Sequence, residues 1–253
     1  MNNISSTFKI IVVIGLSLVS SQLWAEGIQL PGISVTLDDS VNSPEEIASG
    51  FQILALMTIL SLAPAMLMVL TSFTRIIIVL AMLRHAFGMP NTPPSTVVIS
   101  LALFLTLFTM MPVLEDIEEN ALQPYTSGEI NSVEAAQTAI VPIRAFMIRQ
   151  TREKDLALMI DMAGEERPET LEDISSIALI PAFMLSELQS AFQIGFVLFL
   201  PFLLIDLITA SVLMSMGMIM VPPMTISMPI KVLMFVLIEG WVLVTQALVG
   251  SFN

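Results

Sequence analysis

Four charged side chains lie where charge is costly. Arg75, Glu187, Asp206 and Lys231 each sit inside a long apolar run. An ionisable group facing lipid costs several kcal/mol even by the lower estimates, so each must face protein or water. Two chemistries fit such groups: a route for protons or ions, or buried ion pairs that hold subunits in register. A relay needs several titratable groups in series, and here they are sparse, which favours the ion pairs. Around Asp206, the residues Thr209, Ala210, Leu213 and Gly217 recur at helical spacing as one small or polar face. Ser211 and Ser215 add a small-xxx-small pair suited to close helix packing. Ser186, Ser190 and Gln193 form a polar stripe one stretch earlier.

Catalytic chemistry finds no foothold. The single histidine, His85, stands beside Arg84 at a helix end, where an interfacial role is the ordinary one. There is no cysteine, which excludes thiolate metal sites and redox chemistry and fits a chain exposed to an oxidising compartment without disulfides. HExxH, GxSxG and a glycine-rich phosphate loop are all missing, so no enzyme, cofactor or metal is expected. No basic stripe exists, which disfavours nucleic acid as a partner.

The remaining chemistry is soft and apolar. Most of the 19 methionines belong to apolar helices and are packing residues. Met218 and Met220 differ, because they fall with Ile219 in a loop bounded by Gly217 on one side and Pro222 and Pro223 on the other. Thioethers are flexible and polarisable, so a ring of such loops could close around a passing chain and form a hydrophobic constriction. On residue type alone, the loop reads as an ordinary helix–helix turn.

The elements that must position these residues follow from hydropathy. The chain is 55% hydrophobic and 12% charged, against about a quarter charged in ordinary soluble domains, which makes it a membrane protein. Residues 1–25 read as a secretory signal peptide, with Lys9, an apolar core from Ile10 to Val19, and cleavage after Ala25. Residues 26–50 read as a flexible acidic arm with turn residues from Pro31 to Pro44. Residues 51–114 form a first apolar helical pair, one block running to Leu83 with a break near Pro64 and the other from Ser95 to Leu114. With an exported N-terminus, the Arg84–Pro94 loop is cytoplasmic and residues 115–173 lie outside.

That polar segment, 115–173, holds fourteen Asp and Glu against five Lys and Arg, a net charge of −9 in a chain of −13. It reads as helical in pieces. Asn131 with Glu134 resembles a capping box, and Leu156, Met159, Ile160 and Ala163 share one face of a helix that Gly164 can end. Arg144, Arg149, Arg152 and Lys154 cluster among the acids, either as a salt-bridged exposed face or as a docking surface. The C-terminal apolar helices, 174–253, begin with the run Ile177–Pro223. A straight helix of that length would reach roughly 70 Å, over twice a ~30 Å hydrocarbon core, so a break is expected, at Pro201. Ile230–Val249, with Lys231 and Glu239, is long enough to span once more.

Three blocks carry a resemblance: TSFTRIIIVLAMLRHAFGMPNTPP, MIRQTREKDL and SELQSAFQIGFVLFLPFLLIDLITASVLMSMGMIMVPP. They resemble the FliP/SctR family of type III secretion export-gate proteins, in its flagellar branch, from about Phe51 to the C-terminus. The resemblance implies an all-α fold with long broken apolar helical hairpins, self-associating in several copies and joining FliQ-like and FliR-like subunits in a helical pore complex. It implies contacts with FlhB, FlhA and membrane lipid, and passage of unfolded flagellar subunits across the bacterial inner membrane at the flagellar basal body. It also places a pore gasket on Met218, Ile219 and Met220, and subunit-packing charges on Arg75, Glu187, Asp206 and Lys231. The homologous injectisome subunit is the neighbouring alternative. A secondary transporter or ion channel is a more distant one, since no internal repeats are seen. An intramembrane enzyme comes last.

Overall fold

The computed structural model describes residues 44–253 apart from 90–91, 166–167, 169, 171–172, 219 and 253. The signal peptide, the arm up to residue 43 and Ile219 therefore lie outside the described residues. Every described element is a helix, and no strand occurs among the described residues. The chain divides into two units, Met1–Ala63 and Pro64–Asn253. The described part of the first is the opening of helix α1 (Pro44–Leu70), which begins ahead of the apolar block expected from Phe51. Within it, Thr58 Oγ1 and Ser61 Oγ donate back to the carbonyls of Leu54 and Thr58 at 2.7 and 2.8 Å, so neither hydroxyl seeks an outside partner.

The second unit holds α2 (Phe73–Ala86), α3 (Ser95–Ser127), α4 (Ser132–Gln150), α5 (Glu153–Ala163), α6 (Ser176–Ser215), α7 (Pro223–Leu237) and α8 (Gly240–Gly250). A π-turn, Glu118–Leu122, lies inside α3, where the apolar run gives way to acids. α2 is the spine. Ile76, Val79 and Leu83 recur at helical spacing and are almost wholly enclosed. The opposing face of α6 runs through Leu179, Phe183, Glu187 and Ala191 and is sealed as completely. Gly195 continues that face, and a Cβ built on it would meet Met82 Sδ at 2.4 Å, so a larger residue there would have to displace the Met82 side chain. At the far end, Phe87, Phe202, Phe235 and Trp241 form an edge-to-face aromatic cluster with centroids 4.9–5.4 Å apart along the chain of contacts.

The breaks fall elsewhere than the prolines suggest. Pro64 lies within α1, and α6 runs unbroken through Pro181 and Pro201. The first block breaks instead at Thr71 and Ser72, where hydroxyls take over the helix ends. Thr74 Oγ1 donates to Met68 carbonyl at 2.6 Å, and buried Ser72 Oγ shares a 2.5 Å hydrogen bond with Thr109 Oγ1. The last block is likewise not one straight span, because Glu239 takes φ 52° and turns α8 by 67° from α7. By length and composition, α3 and α6 can each cross a membrane, and the bent α7–α8 pair makes a third crossing if taken as one span. Outward faces of α6 carry exposed Phe192, Phe196, Leu203 and Leu207. A helix apolar all round but covered on one stripe needs lipid or other helices on the rest.

Candidate functional site: a methionine-tipped hairpin on buried charge nodes

α6 and α7 form a hairpin, and the predicted loop is its tip. α6 closes with a Schellman arrangement: Gly217 N–H donates to Met214 carbonyl at 3.0 Å and Met218 N–H donates to Leu213 carbonyl at 3.0 Å. This geometry puts Gly217 at φ 76°, the left-handed region that favours glycine. Pro222 and Pro223 then open α7, Pro223 at its first position, where a missing N–H costs nothing. Glycine ends one helix and proline begins the next, which fixes where the loop lies. Met218 is exposed, and Met220 is 96% exposed, projecting almost its whole side chain away from the chain's own body. Met214, Met216 and Met224 are exposed beside them, giving a wider thioether surface than the three loop positions expected.

Lys231 and Asp206 fix the hairpin below this tip. Lys231 Nζ donates to Asp206 Oδ2 at 2.6 Å and to the Ala86 carbonyl, at the end of α2, at 3.0 Å. Ser227 Oγ donates to Asp206 Oδ1 at 2.6 Å. The lysine side chain is 3% exposed while the aspartate is 41% exposed, so one partner is sealed and the other reaches the surface. A cation at the last carbonyls of α2 also complements that helix's C-terminal dipole. On the predicted polar face of α6, Thr209 and Leu213 are buried, whereas Ser211 and Ser215 stay exposed and donate to carbonyls of their own helix.

A second node joins α2 to α6 deeper in the core. Arg75 Nε donates to Glu187 Oε2 at 2.9 Å and Nη2 to Oε1, a bidentate pair with both side chains almost fully buried. The guanidinium has five N–H donors, and the others are also used. Nη1 donates to Ser251 carbonyl at 2.7 Å and to Ser251 Oγ at 3.0 Å, and Nη2 donates to Gln150 Oε1 at 3.1 Å. Gln150 Nε2 reaches Phe252 carbonyl at 3.0 Å, and the Phe252 ring covers Arg75 at 4.0 Å from Cζ. The four predicted charges thus meet as two pairs within the chain, whereas their partners were expected in neighbouring subunits. Gln150, Ser227, Ser251 and Phe252 were not foreseen, although a buried arginine with one carboxylate partner always implies further acceptors for its spare donors.

The polar stripe of α6 also finds its partner inside the chain. Arg152 donates to Gln189 Oε1 at 2.6 Å and Gln193 Oε1 at 2.8 Å, and its backbone N–H donates to Ser186 Oγ at 3.0 Å. Ser186 Oγ donates in turn to Asp155 Oδ2 at 2.8 Å. Arg144 donates to Ser176 Oγ and Ile174 carbonyl at 2.7 and 2.6 Å. These basic residues tie the polar segment to α6. Asn131 Oδ1 caps α4 by accepting from the Val133 and Glu134 N–H groups, the N-cap half of the predicted capping box without the return bond from the Glu134 side chain, and Gly164 ends α5 at φ 68° as the sequence predicts. No group of three or more His, Asp or Glu side chains placed to hold a metal occurs among the described residues.

The model of the FliP family matches residues 56–248. The flagellar biosynthetic protein FliP of Bacillus subtilis strain 168 is 48% identical over 213 residues, covering 84% of this chain and 96% of that protein. The protein of the same name from Pectobacterium carotovorum is 46% identical over 239 residues, 94% of this chain and 91% of the relative. That from Aquifex aeolicus strain VF5 is 42% identical over 227 residues, 89% of this chain and 93% of the relative.

Proposed function

The chain belongs to the FliP family, and we propose that it is a structural pore subunit of the flagellar type III protein export gate, passing unfolded flagellar subunits across the inner membrane. The observation that carries this reading is the hairpin tip. Exposed methionines crown two helices that a buried lysine–aspartate pair fixes against α2. Several copies arranged around an axis would bring these tips together, and flexible thioethers would close a hydrophobic constriction that hinders water and ions. Ile219 between the two methionines keeps that constriction apolar.

In this reading the outward apolar faces of α6 contact lipid, further copies, and FliQ-like and FliR-like subunits, with FlhB and FlhA engaging the same gate. The chain supplies walls and a seal and carries out no chemical step. Its place is the bacterial inner membrane at the flagellar basal body, with the acidic segment on the periplasmic side. α6 supports that split. At 1.5 Å per residue its 40 residues reach roughly 60 Å, about twice a hydrocarbon core. The polar stripe bound by Arg152 is confined to its N-terminal half, and exposed apolar side chains run on from Phe192 through its C-terminal half.

The test replaces Met218, Ile219 and Met220 together with glycine, then records membrane leak to small ions beside motility. Raised leak, with the FliQ-like and FliR-like partners still co-purifying, is the expected result. Unchanged leak in an assembled complex would reduce the loop to a turn and move the seal to another subunit.

A further inference from the structure

The C-terminal end of α2 holds a cation that the two charge nodes do not use. Arg84 forms no ion pair among the described residues. Its hydrogen bond runs from Nη1 to Ser95 Oγ, 2.9 Å away at the start of α3, and its Nε has no partner. One turn before Arg84 on the same face of α2, Leu80 lines an apolar cleft of about 170 Å³. Its other walls are Pro93, Val97, Val98, Leu101 and Trp241, drawn from the α2–α3 loop, α3 and α8. Arg84 and Ser95 are not themselves walls of the cleft, but Arg84 lies one helical turn from Leu80 and Ser95 two residues from Val97, so their contact is close to its lining. A guanidinium with unmet donors above an apolar slot is the pattern of an amphiphile site with an anionic head.

The charges flanking Arg84 in sequence agree in sign. Between Phe73 and Leu114 there is no Asp or Glu, while Arg75, Arg84 and His85 are all present. Arg75 is neutralised by Glu187, and Lys231, whose ammonium reaches Ala86, is neutralised by Asp206. Glu239, two residues before Trp241, is exposed and pairs with neither. Among the described residues, two uncompensated charges remain at this corner, the cation of Arg84 at the α2–α3 end, with exposed His85 beside it, and the exposed carboxylate of Glu239 at the α7–α8 bend. Trp241 is 44% exposed at the cleft wall, as suits an indole at a membrane interface.

We propose that this cleft binds an anionic phospholipid, one acyl chain lying between α2, α3 and α8 and the phosphate accepting hydrogen bonds from Arg84. The charge selects an acidic headgroup over a zwitterionic one, and the apolar walls select a lipid over free phosphate. Trp241 reports on occupancy. The chain has two tryptophans, so Trp24→Phe leaves Trp241 as the single fluorophore of the full-length protein.

That protein is reconstituted in phosphatidylcholine vesicles doped with either brominated phosphatidylglycerol or brominated phosphatidylcholine at equal fraction. Quenching by the brominated phosphatidylglycerol at a several-fold lower fraction is the expected result. Arg84→Gln makes the two quenching curves coincide, and Arg84→Lys keeps them apart. Equal quenching in the unaltered chain overturns the headgroup assignment, and so does an anionic preference that survives Arg84→Gln. Loss of the preference on adding inorganic phosphate would mean that the arginine holds a free anion. No quenching by either lipid would mean that protein covers the cleft. The comparison of lipids in the unaltered chain is decisive even if Arg84→Gln fails to fold.

Discussion

Removing Glu187 should be among the most damaging single changes available to this chain. Glu187→Ala deletes the one carboxylate paired with Arg75 among the described residues, while burial leaves the guanidinium at 3% exposure. Breaking a buried pair from one side costs about 3–5 kcal/mol, because the surviving charge is uncompensated. For a chain of this length, roughly 2–4 °C per kcal/mol converts that to a drop of about 6–20 °C in thermal midpoint. Removing both charges, as Arg75→Met with Glu187→Met, restores part of the loss. It cannot restore all of it, since Gln150 Oε1 and Ser251 carbonyl then lose their donor, and a buried acceptor left unmet costs about 1–3 kcal/mol. The predicted order is therefore parent, then double variant, then Glu187→Ala, read as the unfolding midpoint of protein purified in one detergent. Asp206→Ala should fall less than Glu187→Ala, because Asp206 is 41% exposed and water can reach what it leaves. A Glu187→Ala midpoint within about 2 °C of the parent, under a kcal/mol on the same scale, would refute the reasoning. It would mean that the node is wet.

Two further outcomes follow from backbone geometry. Gly195→Ala and Gly240→Ala both force a Cβ into a neighbour, at 2.4 Å from Met82 Sδ and 2.2 Å from the Phe235 ring. The methionine end can swing aside, while the ring is held by Phe87 and Trp241. Gly240→Ala should thus lower the midpoint more, and Met82→Ala should partly rescue Gly195→Ala in the same melting assay. Gly217→Ala should cost about 1–2 kcal/mol through its positive φ, and Gly217→Asn less, with the helix content by circular dichroism unchanged.

Much of this molecule was legible in the residues, and the misses share a cause. The tip was readable because Gly217 and Pro222–Pro223 are backbone instructions that few contexts override. The four charges were readable because apolar surroundings leave an ion few options. Partner choice was not readable, since it depends on helices far apart in sequence. Arg75 meets Glu187 across 112 positions and Ser251 across 176. Break positions failed for a different reason. Proline removes one hydrogen bond, a loss that a long helix absorbs without breaking, as α6 does at Pro201. Thr71 and Ser72 break the chain because hydroxyls nearby can replace the lost bonds. The signal was in the TSFT quartet, whose side chains compete with the helix for its own backbone groups.

The two nodes also explain how a soft tip can sit on a fixed frame. Arg75 lies in the first turn of α2, and Ala86, which receives Lys231, is its last residue, so α2 is tied to the α6–α7 hairpin at both ends. Sliding or rotating α2 against α6 would unpair a buried charge at one end or the other. Apolar packing alone is far more tolerant, since shifted apolar contacts are replaced by other apolar contacts of similar energy. Paired buried charges therefore have the geometry to add register to a core that is otherwise apolar. A constriction that yields to a passing chain and recloses needs both properties. Its frame must return to one position, and its surface must refit contacts that differ with each substrate. In the proposed pore, the frame would belong to the charge nodes and the refitting to the exposed methionines of the hairpin tip.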